Sequence, residues 1–133
     1  MRLTTKSEYA LLALIYIARK PGQKYVKIDE ITEAYGLSKK YLEQIFNALR
    51  QARYVRTRRG ANGGYMLARK AEKITLAEIV RLMDGALAPT LAVSRYFYEN
   101  NPLEKEKKVI NVMRDIRDYI SNKIESLKIA DLV

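Results

Sequence analysis

The stretch "YALLALIYIA", residues 9–18, is apolar almost all the way round a helix, and a single neighbour cannot cover such a helix. It requires a place between packing layers or between subunits, so the rest of the fold has to be arranged around it. Thr5 and Glu8 are spaced as a capping box at its start, and Pro21-Gly22 stops it. With 133 residues the chain supports one compact core and at most one projecting element.

Two more helices follow closely. "IDEITEAY" sets Ile28, Ile31 and Tyr35 on one side and stops at Gly36. Ser38 then caps a helix running to about Arg53, with Leu42, Ile45, Phe46, Leu49 and Ala52 at helical spacing. Helices joined by "GLS" have the spacing of a helix-turn-helix, in which glycine permits the corner and serine caps the second helix. The opposite face of that helix carries Lys40, Glu43, Gln44, Asn47 and Gln51. These types can hydrogen-bond to base edges in a major groove, and they equally suit an ordinary solvated face.

"YVRTRR", "GANGG" and "YMLAR" read as strand, turn and strand, a β-hairpin. A glycine-rich phosphate loop is excluded, since no Lys-Ser or Lys-Thr follows the glycines and no helix starts there. A purely structural hairpin remains open beside a wing. Arg58 and Arg59 entering a tip of small residues favour the wing, because such a tip can approach a duplex and offer arginine to a narrow minor groove.

Thr75 and Glu78 form a second capping box before "LAEIVRLMD", which closes at Gly85. Residues 86–100 show no clear periodicity, and the run Tyr96, Phe97, Tyr98 is expected to pack in a core, with a ligand or partner surface as the alternative. Asn101 with Pro102 and Glu104 announces a helix over about 102–126, some 38 Å long at ~1.5 Å per residue. Its apolar seam, Val109, Met113, Ile116, Ile120, Ile124 and Leu127, is near-heptad and suits pairing with a second copy. The expected fold is therefore mainly α with a small β-hairpin: a winged helix-turn-helix domain over residues 1–85, then a connecting segment and long C-terminal dimerisation helix over 86–133.

Charge and composition narrow the function. Cysteine and histidine are both absent, which removes thiolate and imidazole chemistry, disulfides and the usual zinc and iron–sulfur ligands. Asp115 and Asp118 alternate with Arg114 and Arg117 as a self-paired helix face. The net charge of +10 is segregated: residues 1–70 hold 15 Lys/Arg against 5 Asp/Glu, and residues 71–133 hold 10 against 10. Between residues 44 and 71 there are seven basic residues and no acidic one. Such segregation favours a polyanion-binding face, nucleic acid before membrane. No apolar run reaches membrane-spanning length and no signal-peptide cleavage site is evident, so a cytoplasmic protein is expected.

Taken together, "YALLALIYIA", "YGLSKKYLEQIFNALRQARYVRTRRGANGGYML", "ITLAEIVRLMDG" and "LKIADLV" resemble the bacterial winged helix-turn-helix regulators of the IscR, NsrR and CymR type, the Rrf family, over nearly the whole chain. The resemblance implies a recognition helix in the major groove, a wing along the backbone and a dimer built on the last helix. It assigns Lys40, Tyr41, Glu43 and Gln44 to the recognition helix and aims Arg59 at the minor groove; Ser38, Lys39 and Asn47 on the same helix and Arg56 and Arg58 on the wing complete the expected DNA-binding set. It sets Gly60, Asn62, Gly63 and Gly64 beside phosphates, and Thr5 and Lys6 against the DNA backbone. Members that sense iron, nitric oxide or redox state hold an iron–sulfur cluster through three cysteines between the fourth helix and the long one. The corresponding "GALAPTLAVSRYFYENNP" has none, so the resemblance is to the cluster-free branch and implies no cofactor.

The function expected is a homodimeric, sequence-specific transcriptional regulator, a repressor on a pseudo-palindromic operator in double-stranded DNA, with any effector or partner enzyme unknown. The alternative is an adaptor acting through a partner enzyme. An enzyme of nucleic acid metabolism would need a metal held by carboxylates alone.

Overall fold

The computed structural model describes residues 1–22 and 24–133. These form α1 (Thr5–Arg19), α2 (Ile28–Tyr35), α3 (Lys39–Gln51), the antiparallel strands β1 (Val55–Arg58) and β2 (Gly64–Leu67), then α4 (Leu76–Asp84) and α5 (Lys107–Glu125). Short 3-10 turns occupy Ala71–Lys73, Leu91–Val93, Pro102–Lys105 and Ile129–Leu132.

Helix α1 lies where its composition demands. Every residue from 9 to 18 is buried or half-buried, and the helix is enclosed by α3, α4, β2 and the Ile129–Leu132 turn. Ala10, Ala13, Leu14 and Ile17 join Ile31, Leu42, Phe46, Leu49, Ile74 and Ile79 in the main core. Its cap is Thr4 rather than Thr5: the Thr4 hydroxyl oxygen accepts from the Lys6 amide at 3.3 Å. Two adjacent threonines are locally equivalent as caps, and Asp84 at the end of α4 decides between them. The Asp84 carboxylate accepts from the Thr4 amide at 2.8 Å, from the Ser7 hydroxyl at 2.6 Å and from the Thr4 hydroxyl.

Burial pushes the Asp84 carboxyl upward, but the hydrogen bonds from Ser7 and Thr4 outweigh it and hold its pKa below the ordinary value. A carboxyl lowered in this way contributes stability above its unfolded pKa, and that contribution is lost as pH falls through the folded value. Stability is therefore expected to decline on acidification below about pH 4, and Asp84→Asn to flatten that decline in urea titrations at stepped pH. An unchanged acid limb in the variant would show that the interaction is not coupled to folding.

The corner between α2 and α3 is built as the sequence reads. Gly36 takes a left-handed φ of 67° that closes α2, and the Ser38 hydroxyl oxygen accepts from the Tyr41 amide at 3.3 Å to open α3. Arg53 leaves α3 at φ 65°, turning the chain into the hairpin, whose register pairs Val55 with Leu67 and Arg58 with Gly64. Val26 adds a third, single-residue rung: its amide donates to the Tyr65 carbonyl at 2.7 Å, and the Tyr65 amide donates back at 2.8 Å. The Thr75/Glu78 capping box opens α4 as expected, and Gly85 follows its last residue.

The C-terminal third departs from expectation in three ways. The helix over about 102–126 is broken: Asn101 caps a 3-10 turn over Pro102–Lys105, Glu106 departs from helical geometry, and α5 proper has 19 residues, about 28 Å. The aromatic run is not core: Tyr96 is 73% exposed and Tyr98 58%, while Val93 and Ser94 just before it are buried. The apolar seam of α5 also divides. Met113 packs with Ile110, Ala88 and Val93 beneath the loop, and Ile124 packs against Ala77, Val80 and Leu87. Val109 and Ile116 instead face outward with Val112 and Tyr119, the last 72% exposed.

Residues 86–100 are held to α5 by charge. The Arg117 guanidinium donates to the Val93 carbonyl at 2.9 Å and pairs with Asp118 at 2.8 Å, while Arg95 reaches the same carboxylate at 3.0 Å. Asp118 is thus a cross-link and not only a member of a solvated face. After α5 the chain returns to the first core. The Leu76 amide donates to the Leu127 carbonyl at 2.9 Å, the Ile129 amide to the Ile74 carbonyl at 2.8 Å, and Ile129 is fully buried.

Candidate nucleic-acid interface

Helix α3 separates its two faces cleanly. Leu42, Ile45, Phe46 and Leu49 are buried, and Lys40, Glu43, Gln44, Asn47 and Gln51 are exposed. The four side chains from Lys40 to Asn47 form a strip of donors and acceptors with no internal hydrogen bond among the described residues, free to pair with an external partner. Three other candidates on this segment serve the fold. Ser38 caps the helix, Lys39 pairs with Asp29 of α2 at 2.9 Å, and the Tyr41 ring packs edge-on to Tyr9 at 5.0 Å between centroids.

The wing is anchored from inside and charged outside. Tyr65 stacks on Phe46 of α3 with centroids 4.0 Å apart, fixing the hairpin to the helix. Arg56, Arg58 and Arg59 are exposed, and the Arg58 guanidinium lies 5.8 Å from the Tyr25 ring centroid. The tip is closed by the Gly63 amide donating to the Gly60 carbonyl at 3.0 Å. Gly63 and Gly64 have internal reasons to be glycine: a Cβ on Gly63 would overlap the Arg58 carbonyl, and one on Gly64 the Val26 carbonyl. Gly60 and Asn62 are exposed at the tip. Thr5 and Lys6 are exposed on the first turn of α1, beside the Asp84 carboxylate that occupies the Thr4 amide.

Two sets of residues were not visible as candidates. Segment 24–27 brings Lys24 and Lys27 to the wing, where they border a cleft with Arg58 and Asn62. The alternation in "KYVK" is the signal of a strand-like rung, but four residues are too few to separate it from a linker. On α5, Val112 and Tyr119 lie outside the apparent seam and become visible only once its inward face is known.

A sequence profile for Rrf2, described as "Iron-dependent Transcriptional regulator", matches residues 3–133. The chain belongs to the Rrf2 family of transcriptional regulators. Among its relatives in that family, the HTH-type transcriptional regulator CymR of Bacillus subtilis (strain 168) is 31% identical over 132 residues, covering 99% of this chain and 89% of CymR. The HTH-type transcriptional regulator IscR of Sodalis glossinidius is 31% identical over 134 residues, covering 100% of this chain and 79% of IscR. The solved structure of CymR, the global cysteine regulator of B. subtilis, superimposes with a TM-score of 0.79 at 30% identity, covering 99% of this chain and 95% of that one. This Rrf2 member is a DNA-binding regulator of the winged helix type and not an enzyme.

Iron does not fit the residues present. The chain has no cysteine or histidine, the ligands that iron–sulfur clusters and non-haem iron sites draw on. Among the described residues no three carboxylates converge as a metal cage. Among the same residues no helix is long and apolar enough to cross a membrane.

Proposed function

We propose that this Rrf2 member is a homodimeric repressor that occupies a pseudo-palindromic operator without an iron cofactor. Residues 1–85 form the DNA-binding unit, and residues 86–133 connect and pair the protomers. The exposed strip Lys40, Glu43, Gln44 and Asn47 beside an arginine wing carries the reading. In a major groove Gln44 and Asn47 suit adenine, Glu43 suits cytosine and Lys40 suits guanine. Arg59 enters the minor groove, while Arg56, Arg58, Lys6, Thr5 and the backbone near Gly60 and Asn62 meet phosphates and set the register. The setting is the cytoplasm, where the DNA is.

The outward stripe of α5, Val109, Val112, Ile116 and Tyr119, with Ile120 at its border, supports pairing with a second copy. Two recognition helices would then reach half-sites about 34 Å apart or a multiple of that. Selection of bound duplexes from a random pool tests the reading: an inverted repeat is expected, and an unordered pool would discard sequence-specific recognition. Ile116→Glu is expected to shift the protein toward monomer in analytical ultracentrifugation while keeping it folded. A variant as dimeric as the parent would remove this stripe from the interface.

The exposed Tyr96 and Tyr98 favour a second reading, in which the loop over residues 86–100 grips a partner enzyme. An adaptor of this kind would show no preference among duplex sequences in a titration at several salt concentrations.

A further inference from the structure

A cleft of about 430 Å³ opens between the C-terminal end of α1, the hairpin and the Ala71–Lys73 turn, within the roughly 300–1,000 Å³ typical of small-molecule sites. Ile17, Ala18, Met66 and Ala71 give it an apolar floor. Its polar rim is almost entirely cationic: Lys20 and Lys24 on one wall, Arg56, Arg69 and Lys70 on the other, with Glu72 the one carboxylate. Lys20 is paired with Glu30 at 3.1 Å and Arg69 with Glu78 at 3.5 Å. Lys24, Arg56 and Lys70 have no carboxylate partner among the described residues. The C-terminal end of α1 adds about half a negative charge, which the cations outweigh.

The cleft is not an extension of the α3 strip. Arg56 and Met66 are cross-strand partners, and alternation along the strands turns both away from the face on which Tyr65 stacks against Phe46 of α3. Cations on two separate walls above an apolar floor suit a ligand with two negative charges and a short apolar body.

We infer that this cleft is an effector site for a small organic dianion, a dicarboxylate or a phosphate monoester. Bound there, the ligand bridges α1 to the base of the wing and cancels positive charge in the cationic half of the chain, so DNA affinity falls when the site fills. The regulatory half of this inference rests on the DNA-binding reading; the binding half does not.

Calorimetric titration of the full chain without DNA, using adipate in one arm and n-butyl phosphate in the other, separates carboxylate from phosphate chemistry. One saturable site per chain is expected for at least one of them. Ala18→Phe fills the floor without altering charge and is expected to weaken that binding at least about tenfold, with ligand-free DNA affinity unchanged. The double variant Lys24→Gln/Lys70→Gln keeps the shape and is expected to weaken it comparably; it decides the matter if Ala18→Phe does not fold. Failure of both probes to saturate, or parent-like binding by the folded variants, overturns the site. Saturating ligand that leaves operator affinity unchanged overturns the regulatory half alone. A chain that binds ligand and no DNA at all counts against the DNA-binding reading and leaves the site standing.

Discussion

Gly64→Ala is expected to be among the most damaging single substitutions outside the core, costing about 3 kcal/mol. Gly64 opens β2 at φ 142°, a conformation that side chains rarely adopt, and a Cβ there would overlap the Val26 carbonyl. That carbonyl cannot retreat, because it accepts from the Tyr65 amide at 2.8 Å while the Val26 amide donates back at 2.7 Å. Relief therefore breaks the rung that ties the wing to segment 24–27. Gly60→Ala is the matched control: its φ is 103°, but its Cβ would meet nothing within 4 Å, so only backbone strain of about 1–2 kcal/mol is expected. Urea unfolding of the two variants should separate them, with the larger loss at Gly64. Equal losses would mean that the Val26 contact contributes nothing beyond the turn geometry.

Arg59→Ala is expected to lower specific operator affinity by about tenfold to a hundredfold, with the unfolding midpoint unchanged. Arg59 stands exposed at the start of the wing tip and makes no hydrogen bond or ion pair among the described residues, so it has little structure to lose. A purely electrostatic contact would weaken all duplexes alike and lower the salt slope by about one. A minor-groove contact would instead weaken narrow-groove sequences selectively. Parent-like binding to the selected operator would end the assignment of Arg59 to the DNA interface.

Much of the N-terminal architecture was legible because its signals are local. Gly36 and Ser38 mark a corner within three residues, the Thr75/Glu78 box is complete in itself, and the alternation around "GANGG" needs only its own hairpin partner. What was not legible depended on residues far away in the chain. Thr4 and Thr5 look interchangeable until Asp84 arrives from the end of α4. The seam of α5 is correct as a set of apolar positions, but periodicity cannot tell a face that covers its own domain from one that looks outward. Met113 and Ile124 went inward because Val93 and Leu87 were there to receive them. Tyr96 and Tyr98 illustrate the same limit, since an aromatic side chain announces area to bury without saying against what.

The candidate interface divides along the same line. The strip on α3 and the arginines of the wing follow from spacing and charge alone. The internal duties of Lys39, Tyr41, Gly63 and Gly64 emerge only from their neighbours: Asp29, Tyr9 and the carbonyls of Arg58 and Val26.

The homeward course of the last few residues makes α5 a beam pinned at both ends rather than a free lever. Its near end is clamped against residues 86–100 by Ile110, its middle is tied to them through Arg117, and the chain beyond its far end is sealed under α1 by Ile129. A displacement at its far end is thus passed through Ile129 into the same hydrophobic interior that supports α3.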